Sequence, residues 1–194
     1  MKFLVINGPN LNLTQFTEPG MEGQIDFNTL LDYIEAGCAQ MDVQVDFFQS
    51  NHEGDLIDEI QSAAGRADGI ILNPGGYAYY SVAILEALQV CGVPAVEVML
   101  ADPSGKEPFR SVDVVSFGCQ GRFAGEGVSG YLHACAYLVH ACHDHFQHDT
   151  GNCMSGCGPA CKGSEHQVHR IVLRCHRLYR RRDGACDVWR DPAL

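Results

Sequence analysis

The sequence predicts an α/β fold in which a five-stranded parallel sheet carries helices on both faces. Two observations predict it. Short apolar, β-branched runs alternate five times with stretches whose apolar residues recur at helical spacing. Several of those runs also stop abruptly at Gly, Pro and Asn. Strands of an open α/β sheet end in this way, placing polar side chains at the carboxyl edge where such sheets bind ligands.

The first strand is Lys2 to Ile6, leaving through Asn7-Gly8-Pro9-Asn10-Leu11-Asn12-Leu13. Asp26 can cap a helix on which Phe27, Leu30, Leu31, Ile34, Cys38 and Met41 fall on one face. A second strand from Val43 to Phe48 ends in Gln49-Ser50-Asn51-His52, and a helix from about Glu53 to Ala64 buries Leu56, Ile57, Ile60 and Ala63. A third strand, Gly69 to Leu72, runs into Asn73-Pro74-Gly75-Gly76, and Ser81 caps the helix through Val82, Leu85 and Leu88. A fourth strand begins at Val93 or Ala95 and reaches Glu97, Met99 and Leu100. An irregular loop covers Ala101 to Phe109, a fifth strand spans Val112 to Val115, and Gly127 to Cys142 forms the closing helix.

A chain of 194 residues that is 46% apolar fits one domain with one sizeable core. No run approaches the roughly 18 apolar residues of a membrane span, and Lys2 leads straight into a strand without a cleavage region. A cytoplasmic protein with no membrane partner is expected. The net charge is -11, concentrated in residues 1–142, where 5 Lys and Arg face 18 Asp and Glu. That acidic body argues against a nucleic-acid partner, and an anionic substrate would need a local cation. With no export signal, the five cysteines Cys38, Cys91, Cys119, Cys135 and Cys142 read as buried thiols.

Residues 143–194 differ in character, with Gly, Cys, His and Arg and almost no period, so the domain is expected to close at residue 142 and the tail to be disordered. His140, His143, His145 and His148 precede Cys153, Cys157 and Cys161. Thiolates with imidazoles suit zinc, but these spacings are looser than the paired arrangement of zinc modules, and no metal site is assigned.

Five stretches match a known pattern in order and spacing. They are Gly8-Pro9-Asn10-Leu11-Asn12-Leu13; Phe47-Phe48-Gln49-Ser50-Asn51-His52-Glu53-Gly54; Asn73-Pro74-Gly75 with Tyr77 and Ser81-Val82-Ala83; Glu97-Val98; and Glu107-Pro108-Phe109-Arg110. Over about Met1 to His140 the chain resembles the type II 3-dehydroquinate dehydratases. The resemblance implies a flavodoxin-like sheet, assembly as a homo-oligomer (trimer or dodecamer), and no metal or organic cofactor. It implies anti elimination of water from 3-dehydroquinate, a hydroxylated keto acid, to 3-dehydroshikimate. A tyrosine kept anionic by an arginine takes a proton beside the ketone, an enolate forms, and a histidine oriented by a glutamate protonates the leaving hydroxyl.

Carried over position by position, Asn12 holds the water that stabilises the enolate. Asn73 and Arg110 bind substrate, Glu97 is the orienting carboxylate, and Glu86 matches an aspartate reaching into a neighbouring subunit. Tyr79 stands where a substrate-binding histidine is expected, and Leu100 and Ala101 fall where the substrate carboxylate is held, Ala101 replacing a serine. The proton-moving positions depart from the pattern: Thr17 replaces the arginine, Glu22 the tyrosine and Met99 the acid histidine.

A thioether has no proton to give at neutral pH, so Met99 cannot act as the acid. Losing a positioned acid or base lowers rate by about 10² to 10⁴ per group, which would nearly silence the family reaction unless other groups step in. Glu22, ionised at neutral pH without an arginine's help, is the substitute base; Glu97 and the phenols of Tyr79 and Tyr80 are the candidate acids. A changed chemistry on the same scaffold and an inactive binding subunit are the alternatives.

Overall fold

The structure, a computed structural model, describes residues 1–13, 26–103 and 107–148. Strands β1 (Lys2–Asn7), β2 (Gln44–Gln49), β3 (Gly69–Asn73), β4 (Ala95–Met99) and β5 (Gly121–Ala124) pair in parallel in the order β2-β1-β3-β4-β5. That order is the flavodoxin-like one. Helices α1 (Phe27–Ala39) and α4 (Ser129–His148) cover one face, α2 (Glu53–Ser62) and α3 (Val82–Cys91) the other.

Period-two alternation splits each strand between two cores. Phe3, Val5, Ile71, Val96 and Val98 join Leu30, Ile34, Tyr131 and Leu138 beneath α1 and α4. Leu4, Ile6, Ile70, Leu72 and Ala95 join Leu56, Ile60, Ile84 and Leu88 beneath α2 and α3. The same alternation turns Asn7 and Asn73 toward α4, and sends Glu97 and Met99 to the side of Ala95.

Both expected caps form. The Asp26 carboxylate accepts the Thr29 N–H at 2.8 Å and the Ser81 hydroxyl accepts the Ile84 N–H at 3.0 Å, while Gly92 closes α3 at φ 70°. Val82 begins α3 as expected but lies exposed.

The fifth strand is a correction. Residues 112–115 do not pair with the sheet; Val115 opens a 3₁₀ turn, Val115–Gly118, and is buried among the residues under α2 and α3. The Asp113 carboxylate accepts the Ser116 N–H at 3.1 Å, and the Val114 N–H reaches the Ala78 carbonyl at 2.8 Å. A short β-branched run satisfies strand and turn equally by periodicity, and here its backbone partners lie outside the sheet. The true edge strand, Gly-Arg-Phe-Ala, carries a charge and lacks the apolar signature. The closing helix also runs past Cys142 to His148.

The expectations for the Thr17 and Glu22 segment and for most of the tail lie outside the described residues. Among the described residues no helix is long and apolar enough to cross a membrane, and no cluster of metal-binding side chains forms.

Candidate active site

The loops after β1 and β3 meet at the carboxyl edge through their backbones. The Gly8 N–H donates to the Asn73 carbonyl at 2.8 Å, and a Cβ on Gly8 would lie 2.6 Å from the Pro74 carbonyl oxygen. Only glycine permits that approach. Gly75, at φ +58°, turns the second loop against Pro9. On the other side of β1, the Asn51 carboxamide oxygen accepts the Asn10 N–H at 2.9 Å, and Tyr77 donates to the Asn51 carbonyl at 2.8 Å.

Behind these loops lies a buried polar relay. The Asn73 amide donates to the Tyr131 hydroxyl at 3.0 Å, and Tyr131 donates to the Asn7 carboxamide oxygen at 2.6 Å. Burial pushes the Tyr131 phenol above its ordinary range, so it stays a neutral donor. The Asn73 oxygen also accepts the Gly75 N–H at 3.2 Å. Asn73 is thus committed on both ends, with one amide hydrogen left to offer a ligand.

Glu97 is fully buried in the middle of β4, in register with Leu72 and Arg122. Neither carboxyl oxygen finds a hydrogen-bond donor; the Arg122 Nε stands 3.5 Å from one of them, an electrostatic contact only. Burial, reinforced by the Asp113 carboxylate and opposed by Arg122, pushes the Glu97 pKa up to about 8. Arg122 donates its Nε hydrogen to Asp113 at 2.9 Å and an Nη2 hydrogen to the Met99 sulfur at 3.2 Å. The Cys119 thiol, raised mainly by burial and next by Glu97 and Asp113, remains neutral beside them.

Tyr79 and Arg110 are brought together. The guanidinium carbon lies 4.9 Å from the Tyr79 ring centre and 5.2 Å from that of Phe109, while Nε pairs with Glu107 at 2.7 Å. Hydrogen bonds to Tyr79 and Glu107 raise the Arg110 pKa. Asn12 is exposed in the 3₁₀ turn Leu11–Leu13 after β1, Met99 is buried at the end of β4, and Leu100 is half-buried just beyond it with Ala101 exposed. Glu86 lies on the exposed face of α3, apart from this group. The phenol of Tyr80 is exposed.

A family model described as dehydroquinase class II matches residues 1–139. The chain belongs to that family. It is 44% identical over 135 residues to the 3-dehydroquinate dehydratase of Clostridium perfringens, covering 69% of this chain and 94% of that one. It is 41% identical over 132 residues to that of Caldicellulosiruptor saccharolyticus, covering 68% and 91%. Among solved structures, the type II dehydroquinase of Butyrivibrio crossotus superposes with a TM-score of 0.66 at 39% identity, covering 72% of this chain and 97% of that one.

Set within the dehydroquinase fold, three residues join the site that sequence reasoning passed over: Asp113, Arg122 and Tyr131. Arg122, a lone charge between two glycines and a phenylalanine, was the one with a visible signal. Asp113 was hidden by its assignment to a strand, and Tyr131 by its place in an apolar helix.

Proposed function

We propose that this dehydroquinase-family chain dehydrates 3-dehydroquinate to 3-dehydroshikimate through an enolate, with Glu97 in place of a histidine as the proton donor. The observation that carries the reading is the place of Glu97: its buried carboxyl, without a hydrogen-bond partner, lies on the same face of β4 as Met99 and two residues before it. Burial pushes its pKa up to about 8, so an acid is held beside the corner where Met99 offers none. The relatives named as 3-dehydroquinate dehydratases supply the reaction class. Glu22 takes the proton beside the ketone, Asn12 holds the water on the enolate oxygen, and the C–O bond breaks as Glu97 protonates the departing hydroxyl. Water leaves, and the proton on Glu22 returns through solvent to Glu97. Asn73, Tyr79, Leu100, Ala101 and Arg110 surround the substrate, and Glu86 serves a neighbouring copy.

A second reading is favoured by one contact. Arg122 rests on the Met99 sulfur at 3.2 Å, so the corner an acid would occupy holds a group that does not release its proton. On that reading the chain binds the keto acid without turning it over.

Following enone absorbance on incubation with 3-dehydroquinate separates the two. Slow turnover is expected, falling by about 10² or more in Glu97→Gln while binding persists. Equal rates in the two proteins remove Glu97 from the role of acid; binding without any turnover selects the second reading.

Self-association is part of the proposal. Val82 and Val90 on α3, with Tyr80, Phe109 and Phe117, are large apolar side chains left exposed on the protomer, as a surface covered by another copy would be. Sedimentation is expected to give a multiple of the protomer mass, and Val90→Asp to reduce it; a wild-type monomer at micromolar concentration would dismiss the idea.

A further inference from the structure

We propose that Arg122 contacts the substrate, receiving the carboxylate of the keto acid at the carboxyl edge of β4 and β5. The inference rests on the reading that such an acid binds here. Cations are scarce in this acidic body. Among the described residues, Lys2 pairs with Asp46 and Arg66 with Glu59, both at the amino edge of the sheet. The carboxyl edge has Arg110 and Arg122. Arg110 is stacked on two rings and paired with Glu107.

Arg122 is placed differently. Its backbone is level with Glu97, but its head reaches two residues further along β4 to the Met99 sulfur, and the side chain remains 34% exposed. Of the five N–H groups of a guanidinium, one goes to Asp113 and one to the sulfur, a weak acceptor. The remaining three point to no protein partner among the described residues, in a residue type whose planar fork matches a carboxylate.

The groups facing Arg122 leave its charge available. The Asp113 carboxylate accepts one of its N–H groups at 2.9 Å, and burial pushes the Glu97 carboxyl and the Cys119 thiol up, favouring their neutral forms. The cation is therefore fixed by one carboxylate and has room for a second. Ala101, just beyond Met99, has no hydroxyl to offer a carboxylate, so Arg122 provides a donor that this stretch of loop lacks.

The test is calorimetric titration of the full chain with 3-dehydroquinate and with its uncharged methyl ester. Arg122→Met is expected to weaken binding of the acid by about 10- to 100-fold and to leave the ester unchanged, with Arg122→Lys intermediate. Because Arg122→Met strands the Asp113 carboxylate, the double variant Arg122→Met with Asp113→Asn is titrated as well; it removes both charges and should show the same selective loss. If either variant binds the acid as tightly as wild type, or loses acid and ester alike, the contact does not exist. Wild-type protein that binds neither compound overturns the functional reading itself. Wild-type binding that Arg122→Met leaves intact overturns only this assignment.

Discussion

Raising the pH from about 5 to about 8 is expected to destabilise the folded protein steadily, and Glu97→Gln is expected to flatten that slope. Folded, Glu97 holds its proton to about pH 8; unfolded, the same carboxyl lets go near its ordinary value of 4.5. Between those limits the native state binds the extra proton, so each rise in pH favours the unfolded chain. The stabilisation is whole below the lower value, is lost through the window, and has no further slope above the upper one. The limiting effect of one such group is about 1.4 kcal/mol per pH unit. Of the groups facing Glu97, Asp113 reinforces the shift and Arg122 opposes it, so Glu97→Gln, which removes the shifted carboxyl itself, is the variant that isolates this linkage. Urea titrations at three pH values on both proteins provide the measurement; identical slopes would place the linkage elsewhere.

Thr17→Arg, Glu22→Tyr and Met99→His together are expected to raise turnover of 3-dehydroquinate by about 10² or more, since a positioned acid or base contributes about 10² to 10⁴. Met99→His alone should achieve far less. An imidazole there has to displace the Arg122 head from its contact at residue 99, and the carboxyl beside it is held neutral rather than anionic. Without a charged partner the imidazolium is poorly supported, and without a tyrosinate the enolate forms slowly. Steady-state kinetics on single and triple variants decide the matter: a triple variant at wild-type rate would mean that the pocket has been reshaped beyond repair by these three positions.

Much of this architecture was readable from the chain. Leu4, Ile6, Ile71 and Val96 announced their strands because a run buried on both faces is apolar throughout, and Asp26 and Ser81 announced their helices because a cap is local chemistry. The edge strand was not readable, because Gly121–Ala124 is half-covered and carries an arginine, while Val112 to Val115 mimics a strand and makes a turn. At the site, Asn73 and Glu97 were visible as polar residues ending or interrupting apolar runs. Their partners were not: Tyr131 lies 58 residues from Asn73 in sequence, and nothing local marks it as the hydroxyl between two asparagines. The raised pKa of Glu97 comes first from its burial in the assembled sheet and then from Asp113 arriving from a later segment, a property of assembly rather than of any stretch.

The backbone contact between Gly8 and Pro74 has a consequence for anyone redesigning this pocket. The two loops interlock at close backbone approach, Gly8 on Pro74 and Gly75 on Pro9, so neither can be lengthened, stiffened or swapped from another protein by itself. They form a single cassette, and a library that varies one while freezing its mate will sample mostly broken hinges; new specificities are to be sought by exchanging both together.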